Sequence, residues 1–295
     1  MPSDLIRGWE PVRVKKTRQN KRAKPAFNGI EKAHGNRSLS RSKTFLLLAG
    51  LTAYLATQFP AIAEEPVRVL ATGVFATTLQ SLAQPFERVS GTKIQVSIAN
   101  AGEVAARVAS GEAADLVMTS SAGIKTLAKQ GALAADEVVI GKMRLGVAVR
   151  SGAAIPDLSS AETFRTLLLS ARTVAYIDPN GGGTSGPFFE KIFASLGVAD
   201  AVHAKAVLGK TGSEINSAVA SGQAAIGMTQ ASEIIGASGV AFAGYLPDTL
   251  NLTTIYSAAI ATRSKNPKGA SAFLEFVAGP IGSDHLRRAG WDIGR

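Results

Sequence analysis

From Val67 onward, short runs rich in Val, Ile and Leu alternate with stretches whose apolar positions recur at helical spacing, and glycine closes most of the latter. Strands are expected over 67–72, 93–99, 115–119 and 143–149. Helices over 77–89, 103–109 and 123–129 are each stopped by a glycine, at Gly91, Gly111 and Gly131. The second half repeats the scheme, with strands over 172–177, 204–208 and 224–229, helices over 186–195 and 212–220, and a short helix around Ser232. A turn-rich stretch with Gly236, Gly239, Gly244 and Pro247 follows. A β-rich segment over 252–261 and two helices, 267–277 and 281–289, close the chain. Strands separated by helices of this length imply an α/β fold whose sheet is mostly parallel and covered on both faces. One doubly wound sheet explains the alternation as well as two lobes do. Two long strands, near 143–150 and 252–262, favour two lobes because they could pass between halves.

The N-terminus reads differently. Residues 45–56, FLLLAGLTAYLA, form an apolar run behind Arg41 and Lys43, and Ala61-Ile62-Ala63 follows as an A-x-A pattern. This is the form of an export signal, with cleavage expected after Ala63 and the periplasm as destination. The run is too short to span a bilayer, which takes about 20 apolar residues, so no stable membrane insertion is expected after cleavage. Residues 1–40 are basic and poor in large apolar residues. They fit either a translation start near Leu39 or a nucleic-acid-binding arm, for which an exported protein has no evident use.

Removing residues 1–63 changes what the charge means. They hold 12 of the 32 Lys and Arg and 3 of the 22 Asp and Glu, so 20 basic and 19 acidic groups remain. The basic balance therefore belongs to the leader, and a nucleic-acid partner is not expected for the folded part. The remaining 232 residues suffice for one large domain or two lobes. With no cysteine, disulfides, thiolate catalysis, iron–sulfur clusters and Cys-based zinc sites are excluded.

In open α/β sheets ligands sit beyond the carboxyl ends of the strands, where helix N-termini offer unpaired N–H groups and a partial positive charge. Four strand-to-helix turns are rich in small and hydroxyl residues: Ala71 to Val74, Ala99 to Gly102, Gly181 to Gly186, and Lys210 to Ser213. Each alone reads as an ordinary turn; four at corresponding positions point to one cleft. Gly181 to Gly186 also matches G-x-G-x-x-G, with Asp200 downstream, the form of a dinucleotide fingerprint. Asp178-Pro179-Asn180 separates the strand from these glycines, and Asp200 lies just past Gly197 rather than at a strand end. An anion-accepting helix N-terminus, with Thr184 or Ser185 near the cap, fits better. Lys210 lacks the spacing of a P-loop lysine. Beyond residue 63 the only histidines are His203 and His285, with no H-E-x-x-H, no G-x-S-x-G and no clustered metal ligands, so no catalytic residue, metal or cofactor is expected. Asp115 is expected to cap or hydrogen-bond a neighbouring turn.

The series VRVLATGVFATTLQSLAQPFERVSGTKIQVSIANAGEVAARVASGEAADLVMTSS, the run TVAYIDPNGGGTSGPFFEKIFASLG and the closing SKNPKGASAFLEFVAGPIGSDHLRRAG resemble the molybdate-binding proteins of ABC transporters. The resemblance implies a two-lobed class II periplasmic-binding fold. One lobe would span 66–148 plus 249–295 and the other 149–248, each a mostly parallel sheet flanked by helices, with hinge strands between and the ligand in the cleft. It further implies a small anionic ligand, a transporter permease as partner and a monomer. The site departs from the family's pattern. Val74 stands where the resemblance places a ligand-binding serine, Asn100-Ala101-Gly102 where it places a serine-rich run, and Gln230 where it places a tyrosine. An organic carboxylate is therefore expected ahead of molybdate. One branch of the same broad family is similar to periplasmic aconitate isomerases, which leaves an enzyme acting on an unsaturated carboxylic acid as the alternative, and delivery to a sensor as a third role. The expected cleft residues are Gly73, Val74, Asn100, Ala101, Gly102, Ser120, Thr184, Ser185, Gly186, Thr211, Gly212 and Gln230.

Overall fold

The computed structural model describes residues 65–294; the leader, its apolar run and the cleavage position after Ala63 lie outside the described residues. The chain runs β1 (Val67–Thr72), a 3-10 turn (Gly73–Phe75), α1 (Ala76–Ser90), β2 (Ile94–Ala99), α2 (Ala101–Ala109), β3 (Leu116–Ser120), α3 (Ser121–Lys129) and β4 (Val138–Arg150). It continues through α4 (Ala161–Ser170), β5 (Val174–Ile177), α5 (Gly186–Ser195), α6 (Ala199–His203), β6 (Ala206–Gly209), α7 (Gly212–Ser221) and β7 (Ile226–Gln230). Last come α8 (Ala231–Ile234), β8 (Val240–Tyr245), β9 (Thr253–Ile260), α9 (Pro267–Ala278) and α10 (Pro280–Arg288).

The strands order as β2-β1-β3-β9-β4-β7-β5-β6, with β8 also paired to β4. β1, β2 and β3 run parallel in one half, and β5, β6 and β7 run parallel in the other. β4 joins them: its first part pairs with β9, from Val138 to Arg144, and its last part pairs with both β7 and β8, from Leu145 to Arg150. β8 and β9 thus lie one after the other along the same flank of β4. Of the two expected crossing strands, β4 does pass between halves. β9 stays in the first half, and its flank is interrupted at Leu246 to Leu252 before β8 takes over.

Strand alternation places helices on both faces. Val67, Val69 and Ala71 join Phe75, Leu79 and Phe273 in one core cluster, while Leu70 points the other way to Val104, Val117 and Ile124. In the second half Val174 and Tyr176 pack with Phe164, Phe189 and Phe193, and Ala175 and Ile177 with Ile215 and Val219. Gly91 ends α1, and Gly222 ends α7, in the left-handed conformation that glycine alone adopts freely.

Three elements lie outside those expected from the sequence: α4, the short α6 and β8. α4 opens with a capping box in which Ser160 and Thr163 satisfy each other's backbone N–H. β8 occupies the stretch read as turns, because Gly239 and Gly244 flank and interrupt its apolar positions.

Asp115 plays the structural part expected of it. Fully buried before β3, it accepts from Arg68 through backbone N–H and guanidinium, from the Ser264 hydroxyl, and from the N–H groups of Lys265 and Asn266. It therefore ties β1 to the loop before α9. Burial opposes its ionisation, but the hydrogen bonds from Arg68, Asn266 and Ser264 outweigh that and hold its carboxyl far below the usual range. Its contribution is thus present above the ordinary carboxylate pKa of about 4 and is lost as pH falls below it. Asp115→Ala, which strands the Arg68 guanidinium and the backbone N–H groups of Arg68, Lys265 and Asn266, should cost about 3–5 kcal/mol at neutral pH by urea unfolding. The gap to wild type should narrow in acid.

Candidate functional site

The carboxyl ends of β1, β2, β5, β6 and β7 converge on one solvent-open cleft of about 440 Å³. β1 delivers Thr72, Gly73 and Val74; β2 delivers Asn100 and Ala101 at the start of α2; the turn before α5 delivers Thr184 and Ser185. β6 leads to Thr211 and Gly212 at the start of α7, and β7 ends on Gln230. Three helix N-termini therefore face the same space, an arrangement that attracts anions. Asn100 and Thr211 accept from the N–H groups of Glu103 and Glu214 and so cap their own helices. Ser185 makes no such side-chain bond at the start of α5, although it is buried.

All of these but Thr72 are among the residues expected from the sequence, nine of the twelve. The other three expected residues, Gly102, Ser120 and Gly186, do not line the cleft. Gly102 donates its N–H to the Gly182 carbonyl at 2.9 Å, which joins the first half of the sheet to the Gly181–Gly186 turn of the second. Ser120 caps α3 by accepting from Gly123. Gly186 is buried, and a Cβ there would come within 2.7 Å of the Ile177 and Asp178 carbonyls, so glycine is needed for close packing. Asp200 lies in the first turn of α6, not at a strand end, consistent with a helix-start site rather than a dinucleotide turn.

The sequence analysis does not single out two titratable groups that line the cleft. Glu233, on α8, faces both halves: a Cβ at Gly73 would collide with its Oε1, and one at Gly212 would come within 2.5 Å of its Oε2. These two glycines are small because the Glu233 carboxyl occupies the space beside them. The Thr229 hydroxyl and the backbone N–H groups of Gln230 and Gly212 donate to that carboxyl. Burial nevertheless pushes its pKa up, outweighing the three donors. Tyr256 enters from β9, and its phenol accepts from Gln230 Nε2 at 3.1 Å; burial keeps that phenol protonated well beyond the usual range. Only the topology could reveal either residue, since neither lies in a strand-to-helix turn of the kind the sequence singles out.

Two polar atoms on the cleft wall have no partner: Thr72 Oγ1 and Gln230 Oε1, on residues only 6% and 4% exposed. Whichever way the Gln230 amide is turned, one of its polar atoms is left for a ligand. Buried unpaired groups cost about 1–3 kcal/mol each, which a bound molecule could recover. A larger groove of about 1090 Å³ lies by Val108, Gly131 and Arg263. It adjoins the C-terminal ends of α2 and α3, whose carbonyls disfavour anions. Among the described residues no group of His, Asp and Glu could hold a metal, and no helix is long and apolar enough to cross a membrane.

A family model described as bacterial extracellular solute-binding protein matches residues 67–292. The chain belongs to that family. It is similar to an aconitate isomerase from Pseudomonas sp., 31% identical over an alignment of 238 positions that covers 77% of this chain and 89% of the isomerase. It is also similar to the molybdate-binding protein ModA of Escherichia coli (strain K12), 22% identical over 84% of this chain and 97% of ModA. The periplasmic molybdate-binding protein of Azotobacter vinelandii superposes with a TM-score of 0.67 at 21% identity, over 78% of this chain and all of that one. The fold of this solute-binding protein is accordingly the periplasmic-binding fold expected from its sequence.

Because burial raises the Glu233 pKa, the folded protein holds this proton more tightly than the unfolded chain does. Its contribution is fully present below the ordinary carboxylate pKa of about 4.3 and is lost as pH rises toward the raised value. The urea midpoint of the wild type should therefore decline relative to that of Glu233→Gln as pH rises from 4.5 to 7. Parallel profiles would show that Glu233 is not perturbed.

Proposed function

We propose that this solute-binding protein captures a small organic anion, a carboxylate ahead of molybdate, in the cleft and presents it to an ABC-transporter permease from the periplasm. The convergence of three helix starts and the Thr72–Val74 turn on one space carries this reading. The proposed lobes are 66–148 plus 249–295, and 149–248. Two chain crossings support a hinge between them: β4 runs through from one half to the other, and the chain returns between β8 and β9. Closure would be held by contacts already made across the halves, Gly102 to Gly182 and the Ser232 hydroxyl to the Val74 carbonyl at 2.7 Å. Carboxylate is preferred to a tetrahedral oxyanion because Val74 and Ala101 bring no hydroxyl to the cleft, and because the similarity to an aconitate isomerase spans most of both chains.

A second reading is favoured by one observation. Glu233 places in the cleft the carboxyl that an isomerase of unsaturated acids would use to move a proton from one carbon of its substrate to another. No oxidant or co-reactant is involved in such a shift.

The two readings separate on one panel: molybdate, tungstate, sulfate, phosphate, and mono-, di- and tricarboxylates including both aconitate isomers. At about 100 times its Kd a ligand adds about 2.7 kcal/mol, or roughly 5–11 °C in Tm for a chain of this size. Carboxylates should give the larger shifts, and a large shift with molybdate alone would contradict the proposal. Proton NMR of each stabilising carboxylate should return it unchanged; conversion over many turnovers per protein molecule would establish the isomerase instead.

A further inference from the structure

The space read as an anion site already contains an anionic group. When ionised, Glu233 is an acceptor only, and it sits against Gly73 on one side and the first N–H of α7 on the other. A fully ionised ligand placed beside it would be repelled, and a tetrahedral dianion such as molybdate offers only acceptors to it. A ligand bringing an acidic proton, or a Glu233 that takes one up, turns this clash into a donor–acceptor pair. Thr72 Oγ1 and Gln230 Oε1 give independent support, being buried polar atoms without partners on the same wall.

We propose that the cleft binds its ligand together with one proton, shared between Glu233 and an acid group of the ligand, and so selects protonatable organic acids over aprotic oxyanions. This inference rests on the cleft being the anion site. The groups that could substitute for Glu233 are few. Lys210 and Tyr256 are the other titratable side chains along the cleft, the first a cation and the second a phenol held protonated. On α7, Glu214 is occupied by the Lys210 N–H, and on β4, Arg144 is paired with Asp248. Among the described residues no other carboxyl lines the space.

Calorimetric titration of the protein with citrate, trans-aconitate and molybdate, at pH 5.5 and 7.5 in buffers of different ionisation enthalpy, tests this directly. The wild type should take up more protons per carboxylate ligand at pH 7.5 than at pH 5.5, approaching one, with affinity falling toward tenfold per pH unit above the raised Glu233 pKa. In Glu233→Gln the uptake should vanish, and molybdate should gain on citrate. The wild-type uptake can be read without the variant, so a poorly folding Glu233→Gln leaves the test intact. Carboxylate binding with no proton uptake and no pH dependence would overturn the inference while leaving the cleft as the anion site. Failure of all three probes to bind at either pH would overturn both.

Discussion

Everything in this molecule is referred to β4. Its thirteen residues form hydrogen bonds with β9 over the first part and with β7 and β8 over the second. Both parallel sets of strands are therefore registered against one backbone. Register fixes where the other strands end, and strand ends fix where the helices begin. The convergence of α2, α5 and α7 on one space follows from a continuous strand, whose pairing with β8 shifts by one residue between Val147 and Ala148.

What converges is mostly backbone. Helix N–H groups are indifferent to the identity of an anion, so the shared fold says little about which ligand is taken. Discrimination falls to the few side chains that reach the same space from elsewhere: Glu233, Gln230, Tyr256 and Thr72. Two anions about 4 Å apart in a half-solvated site repel by about 4 kcal/mol at an effective dielectric constant of 20. On the proposed reading, a carboxyl at the α7 N-terminus is thus the strongest filter in the cleft, stronger than any one missing serine. It also makes the proposed chemistry economical, since the group that screens the ligand is the one that could move its proton.

The sequence made the strand–helix order legible because β-branched runs and glycine stops are local signals. The turns of small and hydroxyl residues showed nine cleft residues for the same reason. It did not show β8, whose glycines imitate a loop, nor α4, whose capping box at Ser160 and Thr163 was present but unread. Gly186 and Gly102 look like ligand-facing glycines in sequence, yet each is small because another backbone presses on it. Glu233 and Tyr256 could not be placed from sequence, because each reaches the cleft only through long-range pairing: Tyr256 through its match with Ser120 on β3, and Glu233 through the seat of α8 against the Gly73–Phe75 turn.

Nitrogen-15 NMR of the labelled protein titrated with trans-aconitate tests the central claim, that the converging helix starts form the anion site. The backbone N–H signals of Gly73, Ala101 and Gly212 should shift together and saturate at one affinity. Shifts confined to the groove around Val108, Gly131 and Arg263, with those three signals unmoved, would contradict it.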